Sequence, residues 1–288
     1  PGKVLGGGAK VAVSGYGNNL VHRSGGSVRH PPTRIDRGSF PGYLYADAPL
    51  NVYWETTLAC DLACRHCRAD AVKNCDPLEL TTEEGKALMR EVRELGSMLI
   101  LTGGDPMKRP DLFELIEYGR SIGVPIGVTP STTPTLQREH VMRMKELGVA
   151  ALGVSLDGPN AEIHDGFRGV DGTFERSMDA LGWAREAGIP VQINTTVTGA
   201  TLPHLGEMYE LLSQRACPPV RRWILFLLVP TGRGRSLLTP SARDVEKLFE
   251  WVYDTAANAP FHVATIEAPH YRRYWIQRQL AEGKTHEE

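Results

Sequence analysis

The feature that most constrains the fold is an alternation of short apolar runs and longer helical patterns, which starts near Leu50. The apolar runs predict six strands: Asn51–Glu55, Met98–Leu101, Pro125–Val128, Ala150–Ser155, Val191–Val197 and Arg222–Val229. Helical patterns follow them at 81–95, 111–122, 136–147, 173–187, 203–213 and 241–257. Because strands separated by helices are joined by right-handed crossovers, the alternation predicts parallel βαβ units. Six such units predict an α/β fold, a partial (β/α)6 TIM-like barrel with short N- and C-terminal extensions.

The ends of the predicted helices carry capping residues that support these boundaries. Thr81, followed by Glu83 and Glu84, is a typical helix start, and Ser241 precedes Asp244 in the same way. Four of the helical patterns are followed by a glycine, the residue that most readily adopts the left-handed backbone conformation that ends a helix: Gly96, Gly123, Gly148 and Gly188.

Three segments are predicted from the change of pattern along the chain. Residues 1–45 are rich in Gly, Ser, Arg and His and are predicted to be extended or poorly ordered, with a weak contact to an anionic partner as the alternative. Residues 46–258 are assigned to the barrel. Residues 259–288 form a C-terminal extension, with a strand at Phe261–Glu267 and a helix at Tyr271–Leu280.

Composition argues against several classes of function. The net charge is −2, so no bulk positive field favours nucleic acid or an anionic membrane. The longest apolar run, Trp223–Pro230, is long enough for one buried strand and too short to cross a bilayer. The chain has 5 cysteines, an odd number, which favours thiol chemistry in a reducing compartment over a disulfide framework. A cytoplasmic protein is therefore expected.

Three cysteines crowd into the loop after the first predicted strand. Cys60, Cys64 and Cys67 have the spacing C-x3-C-x2-C. Three thiolates can bind three irons of a cubane and leave the fourth iron without a protein ligand, and catalysis needs such an open position. A non-catalytic site stays open as an alternative: a Cys3His zinc site that includes His66, or a structural iron–sulfur module completed by Cys75.

The loop resembles the C-x3-C-x-Φ-C signature of the radical S-adenosylmethionine (SAM) superfamily, with His66 at the Φ position. The resemblance implies an oxidoreductase with two cofactors, a [4Fe–4S] cluster and SAM. It makes Cys60, Cys64 and Cys67 the catalytic and metal-binding residues. In that family SAM binds the open iron, its reductive cleavage gives a 5′-deoxyadenosyl radical, and the radical abstracts hydrogen from a substrate. A low-potential electron donor of the flavodoxin or ferredoxin type is implied as a partner.

Gly103, Gly104 and Asp105 follow the second predicted strand. They look like the GGE motif of the same superfamily, which holds the SAM amino group, and the resemblance adds all three to the cofactor-binding residues together with His66. Asp105 departs from the pattern because it replaces Glu, which keeps the charge and shortens the reach. A plain turn is the alternative.

The stretch after the fourth predicted strand looks like the radical SAM subgroup with a SPASM or twitch extension. The resemblance implies that Ser155 reaches the SAM ribose and that Arg168 lies near the SAM carboxylate. A guanidinium suits that task because its planar fork matches a carboxylate. A surface salt bridge is the alternative for Arg168, and His164 is interpreted as a structural loop histidine.

Four further cofactor-binding candidates are chosen from their positions near strand ends. Ser131 follows the third strand and could serve a ribose or carboxylate, or cap a turn. Asn194 and Thr196 share one face of the fifth strand because side chains alternate along a strand. Val229 ends the sixth strand, where an apolar side chain could pack on adenine, and the arginines after it could meet an anionic group.

The substrate is expected to be a peptide or a cofactor precursor. Leu227–Gly234 and Thr265–His270 look like the branch that contains haem and haem d1 biosynthesis enzymes and peptide-modifying enzymes, which makes a tetrapyrrole the alternative substrate. His270 could bind an iron or lie at the surface. No cysteine follows Cys217, so the extra clusters of SPASM proteins have no ligands in this sequence, and residues 259–288 could be the start of a truncated SPASM or twitch region.

Overall fold

The computed structural model of the chain describes residues 10–14, 48–216 and 219–284. These described residues divide into two compact units, one within the ranges 1–61 and 71–152 and the other within 62–70 and 153–288. Across the described ranges no helix has the length and apolar character required to cross a membrane.

The first unit is built from parallel strands joined by helices. Its strands are β1 (Lys10–Ser14), β2 (Asn51–Glu55), β3 (Met98–Thr102) and β4 (Ile126–Val128), and its helices are α1 (Thr82–Leu95), α2 (Leu112–Ser121) and α3 (Arg138–Glu146). The strands pair in chain order, with β1 antiparallel to β2 and the others parallel. Trp54, Leu99 and Ile116 are fully buried between sheet and helices. The predicted capping box at Thr81 is present, with the Glu84 amide donating to its hydroxyl.

Strand β1 lies inside the segment for which the sequence predicts no regular element. Its residues pair with β2 in the register Lys10↔Glu55 to Ser14↔Asn51. Five residues flanked by glycine-rich sequence are too few to predict a strand from the sequence. They form a strand because β2 supplies their hydrogen-bond partners, and a strand's stability depends on such neighbours. The remainder of the predicted segment 1–45 lies outside the described residues.

The second unit continues the same alternation. β5 (Ala151–Ser155) pairs with β4 through its first two residues, which belong to the first unit, and its last three residues belong to the second. The remaining elements are α4 (Ala161–Arg168), α5 (Thr173–Ala187), β6 (Val191–Val197), α6 (Leu205–Leu211), β7 (Val220–Leu227), α7 (Ala242–Asn258), β8 (His262–Ile266) and α8 (Tyr271–Ala281). β6, β7 and β8 are parallel and follow one another in the sheet.

Trp223 is the centre of the second unit's core. It is fully buried, and its ring meets Trp251 and Phe261 edge to face at centroid distances of 5.9 and 6.3 Å. Its indole N–H donates to the Thr195 hydroxyl at 2.8 Å, so the one polar atom of the ring is satisfied. Thr195 faces this core while Asn194 and Thr196 are half-buried on the other face of β6, as the alternation predicts.

Two predictions of local structure are wrong in detail. Residues 161–168, predicted as a loop that contains His164, form helix α4, capped by the Asn160 side chain and ended by Gly169 in the left-handed region. The predicted helix 203–213 is a 3₁₀ turn at Leu202–His204, the short α6, and a π turn at Leu212–Ala216. Pro203 explains the first break, because proline is accommodated only at a helix start.

Candidate functional site

In the first unit, the residues that follow β2 are fastened to the residues that follow β3. The Gly104 amide donates to the Thr57 carbonyl and the Asp105 amide donates to the Ala59 carbonyl, each at 2.7 Å. The Cys60 amide donates to the Val72 carbonyl at 2.7 Å. The backbone that carries Cys60 is therefore fixed from two sides, directly after a buried strand.

This close approach requires the two glycines. Gly103 has φ +133°, and a Cβ there would lie 2.3 Å from the Thr57 carbonyl oxygen. A Cβ on Gly104 would lie 2.5 Å from the Ala59 carbonyl oxygen. Any side chain would push the Cys60 backbone away, so the motif has a structural reason to be glycine.

Asp105 is completely buried beside this turn. Its carboxylate accepts hydrogen bonds from the Met107 amide at 3.1 Å, the Ser131 amide at 3.2 Å and the Thr133 hydroxyl at 3.0 Å. Burial raises the pKa of Asp105, and these three hydrogen bonds offset part of the rise. The side chain thus organises the segment after β4, and its predicted contact with the SAM amino group stays a prediction.

Ser131 connects the turn to Cys60. Its hydroxyl donates to the Gly104 carbonyl at 3.0 Å and lies 3.4 Å from the Cys60 sulfur. The structure therefore brings together Cys60, the glycine turn, Asp105 and Ser131, all named from the sequence, within the first unit.

In the second unit, Arg168 lies against the sulfur of Cys64. Its Nη1 is 3.6 Å from the Cys64 Sγ, and its Nη2 forms an ion pair with Asp157. Its Nε is buried with no hydrogen-bond partner among the described residues. The sequence proposed a SAM carboxylate or a surface salt bridge for Arg168. The salt bridge exists but is buried, and the Nε donor is unused.

Asp157 is the site residue that the sequence analysis did not single out. It is buried and accepts a hydrogen bond from the Thr196 amide at 2.7 Å. Burial is the largest single effect and raises its pKa, but the Arg168 charge and smaller contributions, among them the Thr196 hydrogen bond, together outweigh burial and hold the pKa of Asp157 below its usual value. The same pair holds the pKa of Arg168 above its usual range although burial opposes its charge. The sequence signal that could have identified Asp157 is an acidic residue just after the end of a strand, where functional residues of α/β barrels lie.

His66 stacks on Phe167 with ring centroids 4.4 Å apart and planes 9° from parallel. Burial, followed by the charge of Arg168, lowers the pKa of His66 to about 4, so the ring is neutral at pH 7. Its buried Nδ1 has no hydrogen-bond partner in the part of the chain that the structure describes.

The structure gives fewer contacts for the other residues predicted to bind SAM. Asn194 accepts a hydrogen bond from the Gln192 side chain at 2.8 Å, and Ser155 is half-buried at the end of β5. Val229 is 45% exposed. Ser155 is the last residue of β5, Val229 follows β7, and Asn194 lies in the middle of β6 rather than near its end.

Three residues considered for the cluster or substrate have different surroundings. Cys75 is exposed, with its sulfur 3.6 Å from the Thr57 hydroxyl. Cys217 lies outside the described residues. His270 is exposed at the start of α8, and its ring meets Phe249 at 4.8 Å.

The donor set of the cysteine loop fits an iron–sulfur cluster. None of Cys60, Cys64 and Cys67 is in a disulfide, so all three sulfurs are available as iron ligands. Within the described residues no three Cys, His, Asp or Glu side chains are grouped closely enough to hold a single ion. In a cubane, each thiolate binds a different iron.

Comparison with known sequences identifies relatives over most of the chain. The profile of the Radical SAM superfamily matches residues 54–212, which include all three cysteines. An AdoMet-dependent heme synthase of Oleidesulfovibrio alaskensis is 38% identical over 277 residues, 92% of this chain and 70% of the relative. The mycofactocin maturase MftC of Mycobacterium tuberculosis is 33% identical over 231 residues, 76% of this chain and 57% of the relative.

Solved structures show the same fold. Streptococcus suis SuiB bound to S-adenosylmethionine matches with a TM-score of 0.68 at 18% identity, covering 79% of this chain and 53% of SuiB. SuiB bound to precursor peptide SuiA matches with a TM-score of 0.68 at 17% identity, covering 80% and 52%. This chain thus spans about half the length of SuiB. The likeness confirms the predicted α/β fold of the partial TIM-like barrel type.

Proposed function

This chain belongs to the radical SAM superfamily, and from that premise we propose that Cys60, Cys64 and Cys67 hold a [4Fe–4S] cluster with which the protein cleaves SAM reductively. The observation that carries the proposal is that the family match contains this cysteine loop directly after a buried strand. A cluster bound there would supply one electron to SAM, and cleavage of SAM to methionine and a 5′-deoxyadenosyl radical would provide the species that abstracts hydrogen from a substrate.

The contacts of the chain support distinct roles for its own residues. The Gly103–Gly104 turn holds the backbone just before Cys60, and Ser131 contacts both that turn and the Cys60 sulfur. Asp105 holds the segment that carries Ser131. Asp157 orients Arg168 against Cys64 and leaves the Arg168 Nε available as a donor. We assign that donor to the SAM carboxylate, because a guanidinium binds carboxylates through parallel N–H groups.

Anaerobic reconstitution tests the proposal directly. The wild-type chain is expected to bind about four irons with matching sulfide, and to release 5′-deoxyadenosine when dithionite and SAM are added. Cys64→Ala is expected to lose both properties. Cys75→Ala is the matched control, because Cys75 is an exposed thiol outside the triad, and it is expected to behave as wild type.

Two results would contradict the proposal. A chain that binds about one zinc and no sulfide would favour a structural metal site. A fully loaded chain that releases no 5′-deoxyadenosine would be an iron–sulfur protein without this catalysis.

For the substrate, we propose a tetrapyrrole on the route to haem. The support is the heme synthase relative, which is similar over 92% of this chain at 38% identity. A modified peptide is the second candidate, supported by the mycofactocin maturase relative and by SuiB with its precursor peptide. A flavodoxin- or ferredoxin-type protein is the proposed electron donor for either reaction.

Haem itself is a probe that separates the two candidates. A tetrapyrrole enzyme is expected to bind it and shift its Soret band, and His270→Ala is expected to remove the shift if His270 binds the iron. His140→Ala is the matched control, because His140 lies on α3 in the first unit. Failure to bind haem or any iron porphyrin, together with turnover of a precursor peptide, would exclude the tetrapyrrole proposal.

A further inference from the structure

The turn after β7, residues Gly232–Ser236, lies against the part of the cysteine loop that carries Cys64 and Cys67, and both segments belong to the second unit. The Arg233 side chain donates from Nε to the Cys64 carbonyl at 2.9 Å. The Arg233 backbone amide donates to the Cys67 carbonyl at 3.0 Å. One residue therefore holds the peptide groups of two of the three cysteines.

These contacts link the backbones of Cys64 and Cys67 to each other through Arg233. The Cys67 amide donates to the Cys64 carbonyl at 3.2 Å, so that carbonyl accepts from both Cys67 and Arg233. Because Arg233 is bound to both ends of this turn, it restrains the separation between the Cys64 and Cys67 backbones. Groups that orient metal ligands in this way are important for metal affinity.

Gly232 makes the approach possible. It has φ +52°, and a Cβ at this position would lie 2.4 Å from the Cys67 carbonyl oxygen and 2.6 Å from the Arg68 carbonyl oxygen. Both neighbours are backbone atoms that cannot rotate away. A side chain at 232 would separate the turn from the loop and break the contacts of Arg233.

We propose that Gly232 and Arg233 are positioning residues for the cluster, and that the turn after β7 determines how firmly Cys64 and Cys67 retain it. The inference rests on the proposed function, because it takes the triad as the cluster site. It assigns to Arg233 a role different from the anionic contact suggested by the sequence.

The test compares three variants of Arg233 and Arg235 after anaerobic reconstitution. Arg233→Gln is expected to release iron to a chelator about tenfold faster than wild type, since groups that orient ligands contribute 10- to 100-fold to metal affinity. Arg233→Lys is expected to recover most of the retention, because an ammonium can still donate to the Cys64 carbonyl. Arg235→Gln is the matched control from the same turn, exposed in the structure, and is expected to match wild type.

Gly232→Ala tests the backbone contact separately. It is expected to lower the iron and sulfide content below that of Arg233→Gln, with a weaker electron paramagnetic resonance signal from the reduced cluster. Gly182→Ala is its control, since nothing lies within 4 Å of a Cβ built on Gly182.

Unfolding of the cluster-free chains distinguishes positioning from general stability. Positioning predicts that wild type and Arg233→Gln unfold at similar denaturant concentrations while their iron release differs. The inference is overturned if Arg233→Gln retains iron as wild type does. It is also overturned if the cluster-free Arg233→Gln chain is destabilised enough to account for its faster iron release. A wild-type chain that assembles no cluster would overturn the proposed function instead.

Discussion

Arg168 is the residue whose surroundings explain most about the environment of Cys64. A buried guanidinium is unfavourable unless a carboxylate compensates it, and Asp157 is that carboxylate. Asp157 is in turn held by the Thr196 amide, so a strand end fixes the acid and the acid fixes the arginine. The Cys64 sulfur therefore has a positive charge at a defined position.

We expect Asp157→Ala to destabilise the cluster-free chain by about 3–5 kcal/mol, because it leaves Arg168 buried and unpaired. Denaturant unfolding measures the loss. The double variant Asp157→Ala/Arg168→Met is expected to be more stable than Asp157→Ala alone, since the unpaired charge is gone. Glu83→Ala, which removes an exposed partner of Lys86, is the control and is expected to change little. Equal stability of Asp157→Ala and wild type would refute this account.

At the scale of elements, α4 is the helix that delivers the site's side chains in the second unit. Its residues His164 and Phe167 are buried, and its last residue is Arg168. The Asp157 amide donates to the His164 Nδ1 at 3.0 Å, which ties α4 to the end of β5. This hydrogen bond requires a neutral imidazole, because a protonated Nδ1 cannot accept.

Stability is therefore expected to fall when the pH drops from about 6.5 to about 4. Burial, followed by the charge of Arg168, lowers the pKa of His164 to about 4, against an ordinary value of 6.5. Between these values the unfolded chain binds more protons, so the contribution is complete above pH 6.5 and is lost as the pH approaches 4.

His164→Asn separates this contribution from those of other histidines. An asparagine oxygen can accept from the Asp157 amide without titrating, so the variant is expected to lose less stability across that pH range than wild type does. Denaturant unfolding of the cluster-free chain at pH 7.0, 5.5 and 4.5 measures the difference. Parallel pH dependence of the two proteins would show that His164 does not contribute.

At the scale of the whole molecule, the candidate residues follow successive strands. Cys60 comes after β2, Gly103 after β3, Ser131 after β4 and Asp157 after β5. In α/β barrels, binding and chemistry lie at the carboxyl ends of the strands, and these candidate residues occupy the corresponding positions along the chain.

SAM is expected to stabilise the chain only after the cluster is loaded, because its proposed anchor is the open iron. At 100 times its dissociation constant, SAM should then raise the free energy of unfolding by about 2.7 kcal/mol. Anaerobic thermal unfolding, with and without SAM, checks this in the loaded chain and after iron has been removed with a chelator. Equal stabilisation of both forms would mean that SAM binds without the iron.

Much of this protein follows from its sequence. The six strands, most helices and the family could be predicted because apolar periodicity, capping residues and cysteine spacing are local signals. Strand β1 could not, since its pairing partners are 37 to 45 residues away in the chain: Lys10 pairs with Glu55 and Ser14 with Asn51. Helix α4 was missed because its eight residues carry only a short pattern.

What the sequence determined by itself was the alternation of strands and helices and the three thiols in one loop. Only the tertiary structure decided which groups surround those thiols. Arg168 meets the sulfur of Cys64 across 104 residues of chain, and Arg233 meets the carbonyl of Cys64 across 169. Contacts at such separation depend on how distant elements pack, which no local pattern encodes, and so the partners of the cysteines could be found only in the folded chain.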